Sequence, residues 1–234
     1  QSENFKMQIR SLEMSNKNLQ DSISMVQVAD SSMGTISEAL IRMKELTVQA
    51  GNEGNTEFDR KKIQEEVEQL KEYIDTTARD TEFNGNKLLQ NNKITDNSKP
   101  LYVDMQIGAN VGDNISIPFF NISSELLNIK DIDITTSAGV DKALDNISSA
   151  ISKVNGYRGI YGALQSRMES TSEVISNSSY IYEKSSSDIN DADIALEMAE
   201  IARTSILMES ATAMMAQSNN FPKDMLNILA NLRR

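Results

Sequence analysis

The 234-residue chain contains no cysteine, no histidine and no tryptophan, and only three prolines. Without thiols there is no disulfide, no thiolate nucleophile and no Cys/His zinc site. Without imidazole there is no Ser-His-Asp relay. Catalysis would fall to carboxylates, lysine or tyrosine, and the two obvious carboxylate pairs are Glu65/Glu66 and Asp191/Asp193. Neighbours on a helix point about 100° apart, so Glu65 and Glu66 do not converge on one substrate atom. No glycine-rich phosphate loop follows a strand, and no metal-ligand spacing is present. The expectation is a protein that is not an enzyme and needs no cofactor. Positive charge is also short: 23 Lys and Arg against 34 Asp and Glu give a net charge of −11. That is the wrong sign for gripping phosphates. No apolar run approaches the roughly 20 residues that span a bilayer. Neither nucleic acid nor membrane is an expected partner. No signal peptide is visible, and the chain opens at Gln1 inside an apparent helix, so the expectation is a fragment or processed form that has lost upstream sequence.

What the chain does have is periodicity. Phe5, Leu12, Leu19, Val26, Met33 and Leu40 recur every seventh residue, with Ile9 and Ile23 at the second seam position and Ile36 and Met43 continuing it after a phase shift. A repeat of seven held over about six heptads predicts one helix over 2–50 that must bury its seam against another helix. Leu144, Ile147, Ile151, Val154, Tyr161, Leu164, Met168, Ile175 and Tyr182 step by threes, fours and sevens and supply the partner. With 12 methionines and few aromatics, the core suits helix packing. The expected fold is mainly α: an elongated antiparallel helical bundle or coiled-coil rod made from both chain ends, with a small β-hairpin region in the middle.

Along the chain, residues 1–90 read as amino-terminal rod helices, 91–139 as a loop and hairpin region, 140–187 as the return helix and 188–234 as carboxyl-terminal helices. Gly51 to Asn55 ends the first helix, its glycines and asparagines tolerating left-handed backbone. Thr56 caps a second helix with Glu57 and Asp59 in its first turn, and Ile63, Val67, Leu70 and Ile74 line one face. Phe83 to Asn86 is a turn, and 87–99 a polar loop. Leu101, Val103, Met105 and Ile107 alternate with polar residues, as do Ile115, Ile117 and Phe119, which predicts two strands around a turn at 108–113, the second demoted by Pro118. Residues 123–127 suit one helical turn, and 129–135 a linker or short strand. The return helix should begin near Asp141. Gly156, Gly159 and Gly162 weaken it, which close helix–helix approach would compensate. Breaks are expected at Ser185 to Asp188 and at Asn219 to Pro222.

Three sequence blocks carry a family resemblance. The first is Leu19-Gln20-Asp21-Ser22-Ile23-Ser24, leading into Ala39-Leu40-Ile41-Arg42-Met43-Lys44-Glu45-Leu46-Thr47-Val48-Gln49-Ala50. The second is Thr81-Glu82-Phe83-Asn84-Gly85-Asn86-Lys87-Leu88-Leu89, and the third runs from Gly162-Ala163-Leu164-Gln165-Ser166-Arg167 through Asp191-Ala192-Asp193 to the end at Leu229-Ala230-Asn231-Leu232-Arg233. In this order they resemble bacterial flagellin, in a minimal form without a variable outer domain and without the family's innermost amino-terminal helix. The resemblance implies a secreted, extracellular structural subunit of the flagellar filament, serving motility. Its partners would be further copies of itself, an export chaperone, the filament cap and hook-junction proteins. It also implies recognition by the fifth Toll-like receptor of vertebrates through Arg42, Leu46 and Glu66, as a cation, an apolar knob and an anion on neighbouring helical faces. Met225, Ile228, Leu229 and Leu232 would serve polymerisation and chaperone binding. The segment carrying them is expected to be loosely ordered in solution and to fold as subunits stack. The alternatives are a hook–filament junction protein, or a secreted helical bundle acting as adhesin or immune ligand.

Overall fold

The computed structural model describes residues 2–231 except 91–93, 95, 98, 109 and 111, with the side chains at 2, 189–193, 195, 221, 223, 224 and 226–231 outside the description. Its helices are α1 (Ser2–Ala50), α2 (Glu57–Asp80) and α3 (Ser137–Asn231), and its strands are β1 (Glu82–Phe83), β2 (Asn86–Lys87), β3 (Leu101–Gln106) and β4 (Asn114–Phe119). The chain divides into two compact units: 10–179, and a second made of 1–9 with 180–234.

In the larger unit the expected seam exists. Leu19, Val26, Met33 and Leu40 are each at most 2% exposed, as are Ile147, Val154, Tyr161 and Met168 of α3. The two helices run antiparallel, because partners descend along α3 as α1 ascends. Ser172 Oγ donates to Asn16 Oδ1 at 2.7 Å. The Arg158 guanidinium reaches both Asp30 oxygens at 3.0 and 3.4 Å. Ser37 Oγ donates to Asn155 Oδ1 at 3.3 Å.

Helix α2 starts as expected. Thr56 and Asp59 form a reciprocal capping box, each side chain accepting the other's backbone N–H. Ile63, Val67, Ile74 and Ala78 are buried against the core. The loop before it works differently from expectation: none of 51–55 has positive φ. Gly51 N–H bonds to the Thr47 and Val48 carbonyls, and Asn55 Nδ2 donates to the Gln49 carbonyl at 2.6 Å.

β1 and β2 form a short hairpin, turned by Asn84 (φ 50°) and Gly85 (φ 78°). Two consecutive positive φ values are what a two-residue hairpin turn needs. β3 and β4 pair antiparallel with Leu101 opposite Phe119, Val103 opposite Ile117 and Met105 opposite Ile115. Pro118 sits opposite Tyr102 in a two-stranded sheet, where an edge tolerates its missing N–H. The turn joining them, expected at 108–113, includes Ala109 and Val111, which lie outside the described residues, as does part of the loop at 87–99.

Ser123 to Leu127 is the expected single turn, closed by left-handed Asn128 (φ 60°) with Asn128 N–H to Glu125 O and Ile129 N–H to Ser124 O. Residues 129–134 form no strand, yet Ile129, Ile132 and Ile134 are buried.

Helix α3 departs from expectation in three ways. It begins at Ser137, four residues early, with Thr136 Oγ1 accepting the Gly139 N–H at 3.1 Å. It continues through Ser185 to Asp188. Serine costs a helix only a few tenths of a kcal/mol relative to alanine, and its hydroxyl can bond back to the helix, as Ser178 does to the Val174 carbonyl at 2.8 Å. It also carries Pro222 in its interior, where proline removes one hydrogen bond without ending the segment. In the smaller unit the Phe5 and Tyr182 rings lie 5.9 Å apart, which keeps the seven-residue pattern in use there.

Candidate interaction surfaces

Two surfaces carry the residues singled out in the sequence. The first joins α1 to α2. Arg42 Nε and Nη2 donate to Glu66 Oε1 at 3.2 and 3.0 Å, and Nη1 donates to Glu45 Oε2 at 3.2 Å. The hydrogen bonds to Glu66, then to Glu45, push the guanidinium pKa up. Both partners stay about half exposed, at 51% and 47%. The structure thus brings Arg42 and Glu66 together as a cation and an anion at a helix–helix junction. Leu46 is different: it is 2% exposed, part of the core. The expected apolar knob is turned inward, because Leu46 follows Met43 and Ala39 on the buried stripe of α1 (both also buried) and residues three and four apart share a face. The exposed apolar residues nearby on α1 are Ile41 and Val48. Glu65 points elsewhere than Glu66: it receives Lys62 Nζ at 2.8 Å. The side chains of Asp191 and Asp193 lie outside the described residues.

The second surface is the α3 segment in the smaller unit. Ile194, Leu196, Met198, Ile201, Ile206 and Leu207 are 58–71% exposed, and Met208, Met214, Met215 and Met225 are 62–75% exposed. Ile194, Met198, Ile201, Met208 and Met215 fall at spacings of four, three, seven and seven, the stepping that is buried elsewhere in α3. Met225, expected in a polymerisation and chaperone-binding stripe, is 62% exposed. The side chains of Ile228 and Leu229, and Leu232 as a whole, lie outside the described residues. Single exposed apolar residues are ordinary, but ten on one helix segment make it a candidate interaction surface. The aliphatic members of this group, from Ile194 to Leu207, went unnamed in the sequence reading. Their signal was present in the same period.

Among the described residues no group of three or more acidic side chains is placed to hold a metal ion. No helix among them is long and apolar enough to cross a membrane.

Residues 1–94 match the model of the bacterial flagellin N-terminal helical region, and residues 144–229 that of the C-terminal helical region. A flagellin of Halalkalibacterium halodurans is 35% identical over 230 residues, covering 97% of this chain and 82% of that protein. A flagellin of Bacillus subtilis is 35% identical over 255 residues, covering 97% of this chain and 84% of that one. Among solved structures, Bacillus cereus flagellin superposes with a TM-score of 0.59 at 27% identity, over 68% of this chain and 88% of that chain. A protein assigned as a flagellar hook-associated protein of Vibrio parahaemolyticus gives 0.67 at 14% identity, over 80% and 95%, which shows a shared fold alone. The relatives span both helical regions with no long outer domain in this chain between them, so the protein is a minimal member of the bacterial flagellin family, the structural subunits of the flagellar filament.

Proposed function

We propose that copies of this subunit pack into the extracellular filament through the exposed apolar surface of α3 between Ile194 and Met225, on both sides of the helix. The observation that carries this reading is the exposed apolar surface of that segment: ten large apolar side chains more than half exposed on one helix, with Ile194, Met198, Ile201, Met208 and Met215 along one side and Leu196, Leu207, Met214 and Met225 along the opposite one. Each such side chain contributes about 1.5–3 kcal/mol when fully buried, so stacking copies supplies ample driving force. Contacts that do not close on themselves build a helical filament rather than a ring. Before export, the same face suits a chaperone groove that takes an apolar helix stripe, with Ile228, Leu229 and Leu232 continuing the pattern in sequence. Cap and hook-junction proteins are the expected partners at the filament's ends.

The test is Ile201→Glu with Leu207→Glu in the flagellated bacterium. Filaments should vanish from electron micrographs, while the purified subunit keeps its circular dichroism spectrum because both side chains are already exposed. Filaments of normal length and number would refute the reading.

The Arg42–Glu66 pair supports a second role for the same subunit, as a ligand of the fifth Toll-like receptor. The exposed pair and Glu45 form the contact, and Leu46 acts from beneath by seating α1 in the core. Arg42→Ala subunits should signal more weakly in receptor-bearing cells. Equal potency would remove Arg42 from the contact.

A further inference from the structure

The twelve methionines of the chain are sorted sharply by environment. Met25, Met33, Met43 and Met168 are core residues, at most 7% exposed. Met105 is half-buried on β3. Met7 and Met14 are exposed on α1. The remaining five, Met198, Met208, Met214, Met215 and Met225, all lie on the open part of α3 and are 62–75% exposed. Leucine would serve a passive apolar face as well, so the use of thioethers there gives the face a chemistry that leucine lacks.

We propose that these five methionines form a peroxide-sensitive modification site, whose conversion to methionine sulfoxide stops subunits from packing. The inference rests on the reading that this face is the packing surface. In each step the thioether sulfur attacks one oxygen of hydrogen peroxide. An S–O bond forms, the O–O bond breaks, and water leaves after proton transfer. Sulfur loses two electrons and the peroxide gains them. The product is a polar, chiral side chain where an apolar, adaptable one stood. In the free subunit the new oxygen is solvated, so the fold tolerates it. In an interface the same oxygen must be buried without a partner, which opposes association. Sensitivity is therefore confined to subunits awaiting assembly. Packed filaments cover the five sulfurs, and the seam methionines are covered in both states.

The experiment uses subunits obtained by depolymerising native filaments. They are treated with hydrogen peroxide, mapped by peptide mass spectrometry and repolymerised, with assembly read by sedimentation. The five α3 methionines should oxidise at least tenfold faster than Met25, Met33, Met43 and Met168, and faster in subunits than in filaments. The critical concentration should rise at least tenfold and return to its starting value after treatment with a methionine sulfoxide reductase. A variant carrying Met198→Leu, Met208→Leu, Met214→Leu, Met215→Leu and Met225→Leu should assemble equally before and after peroxide. A variant carrying Met7→Leu and Met14→Leu should remain sensitive. Normal assembly of subunits carrying all five sulfoxides would overturn the inference, as would equal oxidation in filament and subunit. The first result leaves the packing reading standing, whereas the second counts against both. That reading fails separately, if the untreated Ile201→Glu, Leu207→Glu subunit builds filaments.

Discussion

Gln64 offers the sharpest test of how the larger unit is held together. Its side-chain amide acts as a strand would. Oε1 accepts the Ile134 N–H at 2.9 Å, and Nε2 donates to the Ile132 carbonyl at 2.9 Å and to Glu68 Oε1 at 2.6 Å. Ile132 and Ile134 are at most 4% exposed and belong to no strand. Gln64→Ala strips both backbone groups of their partner. A buried group left unsatisfied costs about 1–3 kcal/mol. Gln64 itself is only half-buried, so water relieves part of the loss, and a total of about 2–4 kcal/mol is expected. At about 2–4 °C per kcal/mol, the melting temperature should fall by roughly 5–15 °C. Gln64→Glu separates the two bonds, since the carboxylate still accepts from Ile134 but cannot donate to Ile132. Facing a carbonyl and the Glu68 carboxylate, the new acid should have a folded pKa above its unfolded value of about 4.3. A raised acid pKa makes the folded state bind the proton more tightly, so this variant's stability relative to the parent should fall as pH rises above about 4.3. Urea unfolding at several pH values and hydrogen exchange at the Ile134 amide supply the assay. A Gln64→Ala protein within about 0.5 kcal/mol of the parent, with Ile134 still protected, would refute the reasoning.

Two further outcomes follow from the same packing. A methyl group added at Gly156, Gly159 or Gly162 would meet nothing within 4 Å, so replacing each by alanine should raise stability by up to about 1 kcal/mol per site through helix propensity. Destabilisation in urea titrations of the triple variant would contradict this. Tyr161 is buried and donates its hydroxyl to the Pro118 carbonyl at 2.9 Å. Tyr161→Phe should therefore cost about 1–2 kcal/mol at neutral pH. Burial pushes the Tyr161 pKa up, so its contribution is complete below the unfolded value of about 10 and is lost as pH rises past it, at up to about 1.4 kcal/mol per pH unit. The phenylalanine variant should show a shallower alkaline decline in denaturation midpoints, and an unchanged slope would show that Tyr161 does not carry it.

The parts of the fold legible in the sequence are those written in local or periodic signals. The α1–α3 seam is one, because Leu19, Val26, Met33 and Leu40 repeat at a fixed interval and are all buried. The Thr56–Asp59 capping box and the β3–β4 alternation are others. What escaped was set by distant partners. Gln64, Lys71 and Asp75 lie on one stripe of α2, and each bonds to backbone in the segment 124–134: Lys71 Nζ donates to the Lys130 carbonyl at 2.8 Å, and Asp75 receives Ser124 N–H and Oγ at 2.7 Å each. That stripe lets an irregular segment be buried, and nothing within the segment records it. Gly156, Gly159 and Gly162 were expected to permit close approach, but the subunit places nothing within 4 Å of a methyl group added at any of them. Leu46 was given a surface role through its position in a motif, although its phase on α1, in step with Met43 and Ala39, already put it inside. On the candidate surfaces, the Arg42–Glu66 pair was legible as a neighbourhood and the α3 face as a period.

The carboxyl-terminal segment has a helix-forming composition of its own. Ala192, Ala195, Ala199, Ala202, Ala211, Ala213 and Ala216 alternate with Leu, Met and Glu, which are among the strongest helix formers. The segment is helical in the structure through Asn231, with the side chains from Leu196 to Asn220 exposed. Helicity there owes nothing to a packed partner and must come from propensity and from propagation out of the preceding helix. Extending an existing helix avoids the costly nucleation step that makes short isolated helices marginal. A face already in its bound backbone conformation gives up less entropy on association than one that must fold first. On the packing proposed above, a segment that is helical before association would bring its apolar side chains to the interface with the backbone already set. Assembly through the proposed face would then have mainly to order side chains and remove water.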